Sequence, residues 1–296
     1  MPGVHSPTQP GLFENTFILV SDGVDDTFDG TDEGLQDRTH RIAVGGELIV
    51  RHEGAEVARL TVPEVGHIRL RPFVLWYNRI LGWQPAVSDA VVAADVHDIR
   101  KRFAQAGITV DWAGKPWGID VTKVPGVSSN FRGDGIMTQT ISTQPATPDE
   151  LALSAYIKSE YPDSVDSAKD IVIVYSDLLY APEKESDPNA LGKKTQLAHT
   201  ITPALAGTKH VGPMILTTAK RNLHTMAHEV LHMLLNDLHP PPSTTGRHNA
   251  DFALERRLWS GGPDGGGVKD RKRMSKVEND HVVPHVQNSP YVKKSR

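Results

Sequence analysis

Apolar and polar residues alternate in short runs through residues 12–75, as in Glu47-Leu48-Ile49-Val50-Arg51 and Ile68-Arg69-Leu70-Arg71. Turn-forming residues separate these runs, so the period of two predicts a small β-rich region over 12–80. Residues 1–11 carry three prolines and two glycines, and we expect them to form a loose leader.

The pattern changes near Pro85, where a helical period replaces the alternation. Apolar residues recur at helical spacing through 88–106, which predicts a helix with Ser88 as its N-cap and Gly107 as its stop. The run Ile108–Trp112 then has the residue types of a strand.

Three more apolar segments and one helix start follow along the chain. Thr147-Pro148-Asp149-Glu150 supplies an N-cap, a proline at the first helical position and a capping-box glutamate, so we predict a helix running to about Tyr161. The stretches 170–175 and 211–216 are typical of buried strands. The stretch 222–238 has a broad apolar surface at helical spacing and predicts a mostly buried helix. The tryptophans expected to pack in the core or in substrate subsites are Trp76, Trp83, Trp112 and Trp117.

The composition narrows the chemistry. The chain has no cysteine, so thiol nucleophiles, disulfide scaffolds and Cys-type zinc sites are excluded, and any metal must be held by His, Asp or Glu. A net charge of −4 argues against a general nucleic-acid binder. No apolar run approaches the roughly 20 residues of a transmembrane helix. No Sec signal is visible, so we expect a cytoplasmic protein or one exported by a non-Sec route.

Two segments are unusually charged. The acid-rich stretch 22–33 contains two glycines and is a weak candidate for Ca²⁺, although it does not match the EF-hand loop and a solvated loop is favoured. The glycines at 261–267 predict a flexible joint. This joint leads into a basic tail, and together they form the last predicted region, 263–296. Residues 269–276 of that tail could touch an acidic partner, but a solvated tail is the favoured interpretation.

Half of the fourteen histidines lie in 199–248, and one group reads His228-Glu229-Val230-Leu231-His232. Residues four apart share one face of a helix, so His228 and His232 can hold one zinc ion. Glu229 lies about 100° around the helix and can reach a metal-bound water as general base. Inside a buried helix such a polar face would be costly without a partner, which a metal provides.

The favoured third ligand is His239. The prolines at 240–242 must end the helix, because the residue before a proline leaves the α region. Asn236 and Asp237 tolerate a left-handed turn that would bring His239 back toward the metal. The alternatives that stay open as third ligand are Glu255, His248, Asp251 and Asp237.

This pattern resembles the zincin metallopeptidases, specifically the metzincin branch with its motif HExxHxxGxxH. Here the third His comes seven positions after His232 rather than six, and Asn236 stands one position beyond the family's turn glycine. The methionine turn has no clear match, and its candidates are Trp259 and Met274. The resemblance implies an α+β fold, in which a metzincin-like domain of mixed sheet plus active-site helix occupies 85–262 after the β-rich region.

The same resemblance implies a zinc-dependent metalloendopeptidase that hydrolyses a peptide or protein substrate, with Glu229 as general base. It also implies that the extended substrate pairs with the strand before the zinc helix, at 211–217. Candidate donors for the oxyanion are Tyr291, His248 and Arg247, and His224 could support a ligand imidazole. Because no signal is visible, delivery as an effector or toxin is a further hypothesis.

Two other functions stay open. The segment 228–239 also resembles the rRNA-maturation endoribonuclease motif HGxLHLxGxDH, matching it at Leu231, His232 and Asp237. Glu229 replaces that family's glycine, however, and the net acidity of the chain disfavours RNA. The other alternative is a non-catalytic binding or particle-associated protein with a zincin fold.

Overall fold

A computed structural model describes the central part of the chain and several shorter stretches. The described residues are 4–5, 15–16, 47–52, 55–61, 64–139, 145–162, 170–181, 194–221, 225–236 and 286–294.

The described strands are β1 (Val4–His5), β2 (Asn15–Thr16), β3 (Glu47–His52), β4 (Ala55–Thr61), β5 (Gly66–Arg79), β6 (Gly82–Pro85), β7 (Ile108–Asp111), β8 (Trp117–Asp120), β9 (Ile136–Thr138), β10 (Asp170–Ser176), β11 (Leu178–Ala181), β12 (Lys194–Gln196), β13 (Ala198–Ile201), β14 (Met214–Thr218) and β15 (Lys293–Lys294). The described helices are α1 (Asp89–Phe103), α2 (Ser129–Asp134), α3 (Pro148–Glu160), α4 (Pro203–Lys209) and α5 (Thr225–Leu235). None of these helices is long and apolar enough to cross a membrane.

A mixed sheet built around β5 organises the fold. β5 and β14 each pair in parallel with β10, and β13 pairs antiparallel with β14 at the end of the strand order. β7 and β8 also run parallel to β5, whereas β6 and β15 run antiparallel to it. The predicted α+β class with a mixed sheet is therefore confirmed.

Local signals in the sequence placed the helix ends well. The Ser88 hydroxyl accepts a hydrogen bond from the first turn of α1, and Gly107 takes the left-handed conformation (φ 69°) just after the short 3₁₀ turn that follows this helix. In α3, Thr147 and Glu150 form the predicted capping box: Glu150 N donates to Thr147 Oγ1 at 3.1 Å, and Thr147 N donates to Glu150 Oε2 at 2.7 Å. These caps depend on residues within one turn of each other.

The predicted boundary between a β-rich region and the zincin-like domain does not follow the sheet. β5 lies in the region assigned to 12–80, yet its Leu70 and Phe73 are register partners of Ile171 and Val174 in β10. The alternating pattern of the strand hid this, because only its central residues 72–75 are buried on both faces like an inner strand. Residues 66–79 therefore belong to the sheet that carries the candidate site.

The end of the region predicted as a basic tail is also part of the fold. Lys293 pairs with His67 of β5, and Tyr291 and Val292 are buried in the core. Gln287 Nε2 donates a hydrogen bond to the Ala106 carbonyl at 2.9 Å. The tail was predicted from its many basic residues. Its apolar residues Tyr291 and Val292 instead bury this end of the chain.

The four tryptophans divide between the core and the surface. Trp112 and Trp117 pack, partly buried, against the core. Trp76 and Trp83 are exposed on the β5–β6 hairpin, so they are not core residues, and a place in a substrate subsite stays a prediction for them. Their strand pairing explains the exposure, because it puts both indoles on the hairpin face that turns away from the buried Tyr77.

The two faces of the sheet carry different helices. Tyr175 of β10 points to the face of α1, where its hydroxyl donates to Asp95 at 2.8 Å. Val172, an odd number of residues away, points to the opposite face and lines a cavity with residues of α3. Helix α5 packs against α1 and against strands β13 and β14. It therefore shares the α1 face.

Candidate metal centre

Helix α5 carries the predicted zinc motif and is almost entirely buried. It ends at Leu235, three residues before the predicted end, because Asn236 takes the left-handed conformation (φ 53°). Asn236 is one of the two residues, with Asp237, that the sequence offered for such a turn. The side-chain oxygen of Asn236 accepts a hydrogen bond from Ala204 N at 2.9 Å, which ties the end of α5 to the first turn of α4.

The structure brings the two histidines of the motif together. The Nε2 atoms of His228 and His232 are 2.9 Å apart, and their rings stand nearly perpendicular with centroids 4.4 Å apart. The two residues are only 4% and 8% exposed. Two buried ring nitrogens at this separation share either a proton or a metal ion.

The pair fits a zinc ion. With Zn–N bonds of about 2.0–2.1 Å, tetrahedral coordination separates two ligand nitrogens by about 3.3 Å. The observed separation of 2.9 Å needs only a small opening of the two side chains. Imidazole is also a preferred zinc ligand in a protein without cysteine.

Thr200 of β13 holds the glutamate of the motif. Its Oγ1 lies 2.5 Å from Glu229 Oε2 and 3.2 Å from the Glu229 carbonyl oxygen. The register explains this contact, since Thr200 is the partner of Ile215, which is the partner of Ile173, so all three face α5. Sequence reasoning missed Thr200, because nothing in the strand's short sequence marks which of its residues faces the helix.

A buried ion pair fixes the chain at Arg221, four residues before α5 begins. Arg221 Nε donates to Asp95 Oδ2 at 2.9 Å, its Nη2 contacts the same oxygen, and its Nη1 donates to the Thr218 carbonyl at 3.0 Å. The guanidinium also lies over the Tyr175 ring, 5.0 Å from its centroid. Burial raises the pKa of Asp95 to about 6, although Arg221 and the Tyr175 hydroxyl act in the opposite direction.

His199, the neighbour of Thr200, lies on the other face of the sheet. Among the described residues its buried Nε2 has no hydrogen-bond partner. Burial is the main reason that its pKa falls to about 3, and the charges of Lys209 and His232 lower it further. The imidazole of His199 is therefore neutral, although the residue as a whole is only partly buried. Lys209 pairs at 3.6 Å with Glu150 of α3.

The edge strand differs from the one expected. The prediction that an extended substrate pairs with 211–217 is wrong, because β14 already has β10 on one side and β13 on the other. Among the described strands, β13 is the outermost one on this side of the sheet. β14 itself begins at Met214, after Pro213, which has no N–H to donate to a ladder.

Several predicted site residues lie outside the described part of the chain. Within the described residues no group of three or more metal-ligating side chains is found. Tyr291 is described: it is buried, and burial raises its pKa to about 12. The candidates that lie outside the described residues are His224, Asp237, His239, Arg247, His248, Asp251, Glu255, Trp259, Met274, the acidic stretch 22–33 and the basic stretch 269–276.

A scan of the sequence against protein-family models finds no match, and a search of curated proteins finds no relative.

Proposed function

We propose that this protein is a zinc metallopeptidase whose site is built on α5. His228 and His232 hold the metal, and Glu229 is the general base. The third ligand comes from the chain beyond Asn236, with His239 as the first candidate and Glu255, His248 and Asp251 as alternatives. The resemblance to the metzincins, on residues 228–239, is the source of the reaction class.

The observation that carries the proposal is the convergence of the two Nε2 atoms at 2.9 Å beside a carboxylate held in place. Glu229 occupies the position that the general base has in this motif, and Thr200 binds its carboxylate. The left-handed Asn236 adds support, because a turn directly after the helix is what a returning third ligand requires.

Zinc, when bound, supplies a Lewis acid for the substrate carbonyl and makes a water molecule acidic near neutral pH. The Glu229 carboxylate accepts the proton of the attacking water and passes it to the leaving amine. Thr200 keeps that carboxylate in one orientation, because its hydroxyl donates to Oε2 at 2.5 Å. Arg221, four residues before the helix begins, anchors the chain to Asp95 of α1.

The substrate backbone is proposed to lie along β13 rather than β14. β13 is outermost among the described strands on this side, and an extended peptide adds to such an edge through main-chain hydrogen bonds. The same strand carries Thr200, so substrate pairing and the orientation of Glu229 depend on one element.

The test combines metal content with peptide cleavage. We expect about one zinc per chain in the wild-type protein, little in His228→Ala or His232→Ala, and an unchanged amount in Glu229→Gln. Cleavage of a casein-derived peptide mixture should fall about 10²–10⁴-fold in Glu229→Gln, the range for loss of a general base. His97→Ala is the matched control, since His97 is exposed on α1.

Full activity of Glu229→Gln, or full zinc content after loss of both histidines, would contradict the proposal. Zinc-dependent cleavage of RNA but not of peptides would show that the protein is an endoribonuclease. If the folded wild-type protein takes up no zinc on reconstitution, the remaining interpretation is a non-catalytic binding protein.

A further inference from the structure

The hairpin of β5 and β6 ends in two fully exposed aliphatic side chains. Ile80 and Leu81 form its tip and are 104% and 86% exposed, the largest values among the exposed large apolar residues described. Trp83 and Trp76 behind them are 47% and 36% exposed. Scattered exposed leucines are ordinary on protein surfaces, but four large apolar residues on one hairpin are a patch.

The turn itself does not require these residues. Arg79 pairs with Gly82, and Gly82 has the positive φ (93°) of a hairpin that closes through a glycine bulge. Ile80 and Leu81 have no left-handed backbone, and their side chains touch no core. Asn, Asp or Ser would suit such turn positions better on local grounds. The described part of the fold therefore gives no reason for the apolar tip.

The strand register places the remaining exposed residues on one face. Trp76 lies opposite Pro85, and Asn78 lies opposite Trp83, so these four side chains point the same way. Arg79 is the only charged residue between 76 and 85, and its guanidinium contacts Asp177. The exposed face of the hairpin itself thus carries no charge, with aliphatic residues at its tip and indoles behind. On the neighbouring strand β8, Asp120 is the register partner of Trp76 and pairs with Lys123.

We propose that this hairpin tip docks into the surface of a lipid bilayer, with Ile80 and Leu81 among the acyl chains and the two indoles at the headgroup level. The order of side chains matches the change in polarity with depth, because tryptophan prefers the membrane interface and aliphatic residues the hydrocarbon. A protein partner is the alternative occupant, and the experiment below distinguishes it from a bilayer. The hairpin is also held by the central strand of the sheet, so docking orders no new segment.

The absence of charge on this face predicts the lipid preference. Binding should occur on vesicles of zwitterionic phosphatidylcholine and should change little with salt, because no cation of the hairpin face takes part. Anionic lipid should not strengthen it in a chain of net charge −4. Attachment through the basic stretch 269–276 would behave in the opposite way on both points.

The experiment is cosedimentation of the full chain with phosphatidylcholine vesicles. We expect the wild-type protein to bind, and the double variant Ile80→Asp/Leu81→Asp to lose at least a hundredfold in partition coefficient. Leu151→Asp is the matched control, because Leu151 is an exposed leucine on α3 and its replacement should leave binding unchanged. All three substituted positions are exposed, so the variants should fold like the wild type.

A second measurement identifies the docked element. Brominated acyl chains should quench Trp83 fluorescence in the wild-type protein, and the quenched fraction should fall in Trp83→Phe. The proposal is overturned if the wild type binds no vesicles, if the double variant binds equally well, or if binding requires anionic lipid and disappears in salt. It is also overturned if the tip joins two copies of the chain, which would appear as a dimer without lipid that Ile80→Asp/Leu81→Asp dissociates.

Discussion

Both faces of the central sheet bury charged side chains, but they arrange them differently. On the α3 face the Asp149 carboxylate accepts four hydrogen bonds, from the backbone and hydroxyl groups of Ser128 and Thr138, at 2.7–3.1 Å. On the α5 face two imidazoles converge on one point beside Glu229.

The difference separates a structural cluster from a candidate site. The hydrogen bonds of Asp149 join the start of α2, strand β9 and the start of α3, so its charge is fully used in holding three elements together. On the α5 face the Nε2 atoms of His228 and His232 approach each other at 2.9 Å, and Thr200 binds the Glu229 carboxylate of the same helix. Burial of a charged residue is therefore a poor guide to function, whereas the direction in which its partners point is a good one.

The largest expected effect concerns the ion pair that precedes α5. Arg221→Leu leaves the buried Asp95 without its cation, and we expect the free energy of unfolding to fall by about 3–5 kcal/mol in urea titrations. Adding Asp95→Asn should recover part of that loss, because the orphaned charge is gone. A double variant no more stable than the single one would show that Arg221 acts through packing alone.

The α3 face should respond in stability only. Asp149→Asn places an amide opposite the backbone N–H of Thr138 or Ser128, and we expect a loss of about 2–3 kcal/mol in unfolding free energy. Zinc per chain in the folded fraction should stay at the wild-type value. A variant that folds normally but loses its zinc would show that Asp149 also supports the metal site, which contradicts a purely structural role for it.

The pH dependence should have opposite signs on the two faces. The pKa of His199 is about 3 in the folded protein against an ordinary 6.5, so the unfolded chain binds a proton that the fold cannot, and stability falls as the pH drops below 6.5. The pKa of Asp95 is raised to about 6, so the fold binds its proton first and this group adds stability as the pH drops from about 6 toward 4.

Urea titrations at pH 8 and pH 5 separate these two contributions. Removing His199 as His199→Gln should lessen the acid destabilisation by about 1–2 kcal/mol, and Asp95→Asn should deepen it by about 1 kcal/mol. If both variants shift stability in the same direction, the assignment of the two groups to opposite signs is wrong.

The smallest expected effect sharpens the description of the candidate site. Thr200→Val removes the hydroxyl that orients Glu229 while keeping the shape of the side chain. We expect kcat for peptide cleavage to fall about tenfold, with KM and zinc content unchanged, because only the placement of the base changes. The acidic limb of the pH–rate profile should move to higher pH, since a donor to the carboxylate is lost. Thr200→Ser should restore both values.

The sequence predicted features that depend on neighbouring residues. The caps of α1 and α3 and the left-handed Asn236 follow from residue types within one turn, and all are present. The pairing of His228 with His232 follows from helical geometry alone. These predictions needed no knowledge of what packs against the helix.

The features that escaped prediction depend on contacts between distant parts of the chain. Thr200 reaches Glu229 only because β13 turns antiparallel beside β14, and nothing in Ala198-His199-Thr200-Ile201 encodes that register. β5 was separated from its sheet because its partner β10 begins at Asp170, far along the chain. The place of His239 in the site remains a prediction.

The contact between Gln287 and the Ala106 carbonyl joins residues 181 positions apart, beside the pairing of β15 with β5. A ribosome that adds roughly 5–20 residues per second needs about 10–40 s to make the intervening chain. During that time the beginning of β5 waits without its β15 neighbour, and closing so long a loop adds to the entropy cost of folding. The rate of translation therefore limits how soon the sheet is completed. A nascent chain that stops before residue 286 leaves the β15 side of β5 unpaired, and an unpaired strand edge promotes aggregation.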